Sequence, residues 1–307
     1  MSIEKRSFNV PSCDGRHTLS GVVYLPEGEI KGFYQIVHGM TEHIDRYERF
    51  MTDMAREGYL CFGHNHLGHK GTAADGELGY IAKKGGHELM ARDVKTFSDA
   101  VFAEFGRAGE PYYLMGHSMG SFVVRLAAER YVKPDRLIVM GTGGPNPAAG
   151  AGLAVISLIK LFRGDRHVSK LVDGLAFGSY NKRFPEASEA DPSPWLTTDK
   201  SVRERYYADK YCTFKFTVSA MGDLIRAMKL SNRSAWYKNL PKELPVLLIS
   251  GAEDPVGGYG KGVRTVEKKL RAAGIPAECI LYGGARHEIL NDFTYSDTLR
   301  DILNFIK

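Results

Sequence analysis

Short apolar runs alternate with segments of helical spacing along most of this 307-residue chain. Stretches 17–26, 31–39, 59–63, 112–116, 137–144, 246–251 and 278–284 read as strands, rich in Val, Ile, Leu, Phe and Tyr and closed by glycines or turns. Stretches 47–58, 87–106, 121–131 and 298–307 repeat their apolar residues every three to four positions, as amphipathic helices do. This alternation predicts a largely parallel sheet with helices on both faces, an α/β fold. It breaks between Gly144 and Leu244, where proline- and glycine-punctuated sequence gives way to helical segments without strands. A stretch of about a hundred residues is too long for a plain loop. It is expected to form a helical cap, 145–244, inserted into a core made of 1–144 and 245–307.

One junction in this pattern carries chemistry. The apolar run Tyr112–Met115 leads into Gly116-His117-Ser118-Met119-Gly120, and a helical pattern follows at once. Strand, tight turn and helix are the setting of a nucleophile elbow, G-x-S-x-G, which exposes a serine oxygen at the end of a sheet. The glycines are required because the strained serine brings its neighbours two residues away too close for side chains. A serine hydroxyl is a weak nucleophile until a base takes its proton and an acid orients that base.

The elbow arrangement places acid and then base after the serine in the chain. Of ten histidines only His167 and His287 follow Ser118. His167 sits among charges in the expected cap and reads as a surface residue. His287 follows the last strand, in a loop able to reach the elbow, and is the expected base. The acid is expected after the preceding strand, where Glu253 and Asp254 are adjacent. Asp254, short and fixed by Pro255, is the stronger candidate, and Glu253 is the alternative. The oxyanion needs backbone donors. The N–H of Met119 opens a helix, and the N–H of Met40 lies in the loop after an early strand; His38 in that loop is expected to shape it by hydrogen bonding.

The remaining features narrow the function. With 43% hydrophobic and 25% charged residues and a net charge of +5, the chain has a soluble globular composition. Its cations are scattered, which argues against a nucleic-acid partner. The first ten residues hold no apolar leader and no run reaches the length of a membrane span. Four cysteines without a C-x-x-C pair suit a reducing compartment, with Cys61 and Cys279 expected to be buried; a cytoplasmic setting is expected. His64, His66 and His69 have an H-x-H-x-x-H spacing, but no carboxylate accompanies them, so they are expected to shape a loop rather than hold a metal. The apolar stretch 153–162 is expected to form the acyl site through Leu153, Ile156, Ile159 and Phe162, and to touch a membrane surface transiently, with Lys160, Arg163 and Arg166 beside it.

Five segments together, HGMTEHIDRY, GHNHLGHKG, GHSMGS, SGAEDPVG and RHEILND, resemble the motifs of the monoacylglycerol lipase and lysophospholipase branch of the serine α/β-hydrolases. The resemblance spans nearly the whole chain, with Gly39, Glu42–His43 and Arg46–Tyr47 in the expected places. It implies an eight-stranded, mostly parallel sheet, a helical lid, no cofactor, and hydrolysis of small single-acyl-chain esters. By position it makes Ser118 the nucleophile, Asp254 the acid, His287 the base, and Met40 and Met119 the oxyanion donors. The chain departs from the family at Asn65, where an Asp is usual, and at Lys70, where a small residue is usual. Three alternatives remain: a general carboxylesterase for short esters, a proline-iminopeptidase-like peptidase with Asp191, Asp209 or Asp223 holding an amine, and a binding module on a retired hydrolase fold.

Overall fold

The computed structural model describes residues 3–307. Eight strands form one sheet: β1 (Glu4–Pro11), β2 (Thr18–Leu25), β3 (Gly32–Val37), β4 (Tyr59–His64), β5 (Tyr112–His117), β6 (Arg136–Met140), β7 (Val246–Gly251) and β8 (Ala277–Tyr282). Their order is β1-β2-β4-β3-β5-β6-β7-β8. The β1–β2 and β2–β4 pairs are antiparallel and all others are parallel. Parallel strands need covered faces, and the helices provide them: α1 (Glu48–Arg56), α2 (Gly86–Phe105), α3 (Met119–Arg130), α9 (Lys261–Ala272) and α10 (Tyr295–Ile306).

Successive strand residues point to opposite faces, so one sheet builds two cores. Val23, Phe33, Leu114, Val139 and Leu248 bury against α2, α3 and α9 through residues such as Phe97, Val123 and Val266. Their neighbours Val22, Tyr34, Met115, Ile138 and Leu247 bury against α1 and α10 through Phe50, Met54 and Ile302. Each such side chain contributes about 1.5–3 kcal/mol by leaving water.

Strand β1 is absent from the hydrophobic pattern of the chain for a physical reason. It is an edge strand paired only with β2, and most of its side chains are exposed. Cys279, expected to be buried, is partly exposed because β8 is the opposite edge.

Between β6 and β7 lie α4 (Ala149–Arg163), α5 (Lys170–Phe177), α6 (Lys200–Ala208), α7 (Val218–Ser231) and α8 (Ser234–Asn239), with no strand among them. Helix α7 packs on α2, α3 and α4, and α8 packs on α3. Trp236 of α8 is fully buried and donates its indole N–H to the Arg125 carbonyl at 2.6 Å. The later part of this insert therefore rests on the helix that begins at the elbow.

Candidate active site

Ser118 joins β5 to α3 with φ 53° and ψ −118°, a strained conformation that a non-glycine residue adopts only when its surroundings enforce it. Those surroundings are backbone. A Cβ on Gly116 would lie 2.3 Å from the Gly120 carbonyl oxygen, and one on Gly120 would lie 2.1 Å from that of Val37. Only glycine fits at either place, which explains the spacing. The Ser118 N–H donates to the Met140 carbonyl at 3.0 Å, so the turn is pinned to the end of the neighbouring strand.

Asp254 follows β7 and His287 follows β8, at the same carboxyl edge of the sheet. The Asp254 carboxylate is fully buried. Its Oδ2 lies 2.9 Å from His287 Nδ1 and accepts from Ser250 Oγ at 3.1 Å, while Oδ1 accepts from the Val256 N–H at 2.8 Å. The carboxylate thus holds the imidazole with Nδ1 protonated and leaves Nε2 as its basic atom. Glu253, the alternative acid, is exposed and its backbone N–H bonds to Ala285. His167 lies in the link from α4 to α5.

The loop after β3 lies against the serine: a Cβ on Gly39 would meet Ser118 Cβ at 3.0 Å. His38 shapes this loop, bonding its Nδ1 to the Gly39 carbonyl at 2.8 Å while Nε2 accepts the His66 N–H at 3.0 Å. Met119 is buried at the first turn of α3, and Met40 is half-buried. The two departures from the family pattern both engage the same loop. Asn65 Oδ1 accepts the Ile44 N–H at 2.9 Å, and Lys70 pairs with Asp45 at 3.0 Å.

A buried ionic network that no local motif announces lies behind these residues. Glu42 Oε1 accepts from the Gly39 N–H at 2.5 Å and from Tyr47 Oη at 2.9 Å, and it stands 3.0 Å from His117 Nδ1. His117 Nε2 faces the His287 carbonyl at 3.3 Å. With an acceptor at each nitrogen, the surroundings of the His117 ring favour its doubly protonated form. Arg46 bonds Glu42 at 3.1 Å and forks onto Glu288 at 2.7 Å through both terminal nitrogens. Burial alone pushes the Glu42 carboxyl up, but His117, Arg46 and the Gly39 N–H outweigh it and bring it down to about 2. Burial pulls His117 down, and the Glu42 hydrogen bond and charge reverse this to a net rise. Glu42, Arg46 and Tyr47 were visible only as family pairs, and His117 only as a neighbour of the serine. Each also has a partner 70 or more residues away.

Residues 28–294 match the family described as serine aminopeptidase, S33. The chain belongs to this family. It is an enzyme, a serine hydrolase. It is 24% identical over 315 residues to a monoacylglycerol lipase of Mycolicibacterium smegmatis, covering 97% of this chain and 98% of that one. To the monoglyceride lipase of Homo sapiens it is 28% identical over 235 residues, 75% of this chain and 68% of that one. A solved carboxyl esterase from Bacillus coagulans, in complex with glycerol, superposes with a TM-score of 0.91 at 28% identity and covers 100% of this chain and 98% of that one.

In this hydrolase the insert reaches the histidine directly. The N–H groups of His287 and Glu288 bond to the carbonyls of Trp195 and Leu196 at 3.3 and 2.7 Å. An aromatic series Phe177, Tyr180, Trp195 and His287 runs from α5 to the ring, with centroid separations of 5.6, 5.0 and 5.3 Å. None of the first three stood out in the sequence, where each is an isolated aromatic in an irregular stretch.

The expected acyl-site residues fall into different environments. Ile156 is buried in the core cluster beside α7, Leu153 and Ile159 are half-buried, and Phe162 is exposed. Of the expected cations, Lys160 bonds the Lys83 carbonyl and Ser219 Oγ, and Arg166 pairs with Glu77 at 2.6 Å over the Tyr80 ring. Arg163 is exposed.

Proposed function

We propose that this enzyme hydrolyses single-acyl-chain lipid esters, monoacylglycerols or lysophospholipids, through an acyl-enzyme on Ser118. The observation that carries the mechanism is the His287–Asp254 contact at 2.9 Å, buried at the same sheet edge as the strained Ser118. Ser118 Oγ attacks the ester carbonyl as its proton passes to His287 Nε2. The N–H groups of Met40 and Met119 stabilise the tetrahedral oxyanion. Collapse of this intermediate breaks the C–O bond, and the alcohol leaves with the proton from His287. Water then repeats the sequence on the acyl-enzyme, and the fatty acid and free Ser118 result.

The matched monoacylglycerol lipase of nearly full length supports the lipid substrate class. A peptidase of this family would need a free acid for the substrate amine. Here Asp191 is forked by Arg203, Asp209 is bonded to His43, and Asp223 is bonded to His87. Each acid has an internal partner, which favours the ester reading.

Residues 145–244 act as the cap in this proposal, with 1–144 and 245–307 as the core. Leu153, Ile159 and Phe162 border the acyl path, and Ile156 holds α4 against α7. Leu161, Phe162 and Leu175, on α4 and α5, are 77%, 75% and 67% exposed, an apolar face of the kind that contacts lipid. The exposed Arg163 is the one of the three expected cations free to meet an anionic surface. No described helix is long and apolar enough to cross a membrane.

A chain-length series of glycerol monoesters tests the substrate class. Each buried CH₂ adds up to about 0.8 kcal/mol, so medium or long esters should exceed acetyl esters in kcat/KM by more than about tenfold. A flat profile would assign the enzyme to short esters instead.

A further inference from the structure

His43, Asp209 and Cys212 offer three different ligand atoms within 4.8 Å of one another. They come from separate parts of the fold. His43 lies in the loop after β3, three residues beyond Met40, and Asp209 and Cys212 lie in the turn that ends α6. His43 and Cys212 are buried. His43 Nε2 is 2.8 Å from Asp209 Oδ2, and the Cys212 N–H closes the turn onto the Asp209 carbonyl at 2.9 Å.

The second ring nitrogen of His43 gives an independent reason to see more than a hydrogen-bonded pair. Nδ1 is buried and has no hydrogen-bond partner, yet Asp45 Oδ2 stands 3.6 Å away. Asp45 is in turn fixed by Lys70 at 3.0 Å and Lys5 at 3.3 Å. With Nε2–H turned to Asp209, Nδ1 presents a lone pair toward a carboxylate. With a cation on Nε2, the proton moves to Nδ1 and faces Asp45, the carboxylate–histidine–metal arrangement that orients metal-binding imidazoles.

We propose that His43 Nε2, Asp209 Oδ2 and Cys212 Sγ bind one zinc ion, which ties the turn after α6 to the loop after β3. A nitrogen, an oxygen and a sulfur donor suit a borderline cation such as zinc, and three protein ligands leave a fourth position for water. Metal–ligand bonds of about 2.0–2.3 Å set tetrahedral donors roughly 3.5 Å apart, so the His43–Asp209 pair must open from 2.8 Å while Cys212 Sγ settles at that spacing, within reach of side-chain rotation in a turn. The His43 proton transfers between its own nitrogens, and the Cys212 thiol gives its proton to solvent. Binding therefore releases one proton per zinc. Because the thiolate is the binding form, affinity should increase as pH rises. The nearby cation Arg46 is committed to Glu42 and Glu288 and does not oppose the ion alone.

Titration of the full chain with zinc, and separately with cobalt(II), tests this site. The expected result is one equivalent bound, a Tm raised by zinc, and a sulfur-to-cobalt charge-transfer band. Cys212→Ser should abolish the band and weaken zinc binding by at least about tenfold, and Asp45→Asn should weaken it about 10- to 100-fold. Asp209→Asn provides the same test if Cys212→Ser does not fold. No uptake, or uptake of equal affinity in these variants and without the band, would overturn the proposal and place any bound zinc elsewhere.

Discussion

His117 Nδ1 lies 3.0 Å from Glu42 Oε1, and both side chains are buried. The contact links the residue before the proposed nucleophile to the loop that carries Met40. Through Nε2, His117 also reaches the His287 main chain.

Replacing Glu42 by Gln should leave the His117 cation buried without its counter-charge. Removing one partner of a buried pair costs about 3–5 kcal/mol. Glu42 has a folded value of about 2, so its contribution is present above the unfolded carboxyl range and is lost as pH falls toward 2. His117 is shifted upward, so its contribution is present below about 6.5 and is lost as pH rises through its folded value. Thermal unfolding of Glu42→Gln across pH should therefore show the largest loss between about 4.5 and 6.5. A loss independent of pH would contradict the imidazolium assignment.

Acid should destabilise the protein through its buried histidines. His64 sits against the Phe97 ring with neither nitrogen hydrogen-bonded, and burial lowers it to about 3. His69 is brought by burial to about 4. Between these values and about 6.5 the unfolded chain binds protons that the folded chain does not, so stability falls with pH. Each group contributes about 1.4 kcal/mol per pH unit. Urea unfolding of His64→Phe at several pH values should show that slope reduced by one such contribution below pH ~6.5 and unchanged above it.

The two sides of α4 should respond differently to charge. Phe162→Glu changes an exposed side chain and should alter stability by less than about 0.5 kcal/mol, while reducing sedimentation with anionic vesicles. Ile156→Asp places a carboxylate in the core cluster and should cost several kcal/mol. Equal vesicle binding by wild type and Phe162→Glu would remove the cap face as the lipid contact.

Seven of the eight strands and the chain order of the candidate site were legible because each rests on local pattern. Ser118 is marked by the glycines its backbone requires, and His287 and Asp254 by their places after successive strands. Edge strand β1 escaped because one partner and solvent leave it no apolar periodicity. The Glu42–His117 and Arg46–Glu288 pairs escaped because a charged residue looks the same in sequence whether solvated or buried. Only the sheet order brings them together. The face of α4 had the same ambiguity: Ile156 and Phe162 are both apolar, but α7 covers one and not the other.

The central claim is that Ser118 alone is the activated nucleophile. Peptide mapping by mass spectrometry after treatment with a fluorophosphonate tests it most directly. The predicted result is one phosphonyl adduct per chain, on Ser118, and no adduct in Ser118→Ala. An adduct on another residue, or labelling that persists in a folded Ser118→Ala variant, would contradict the account.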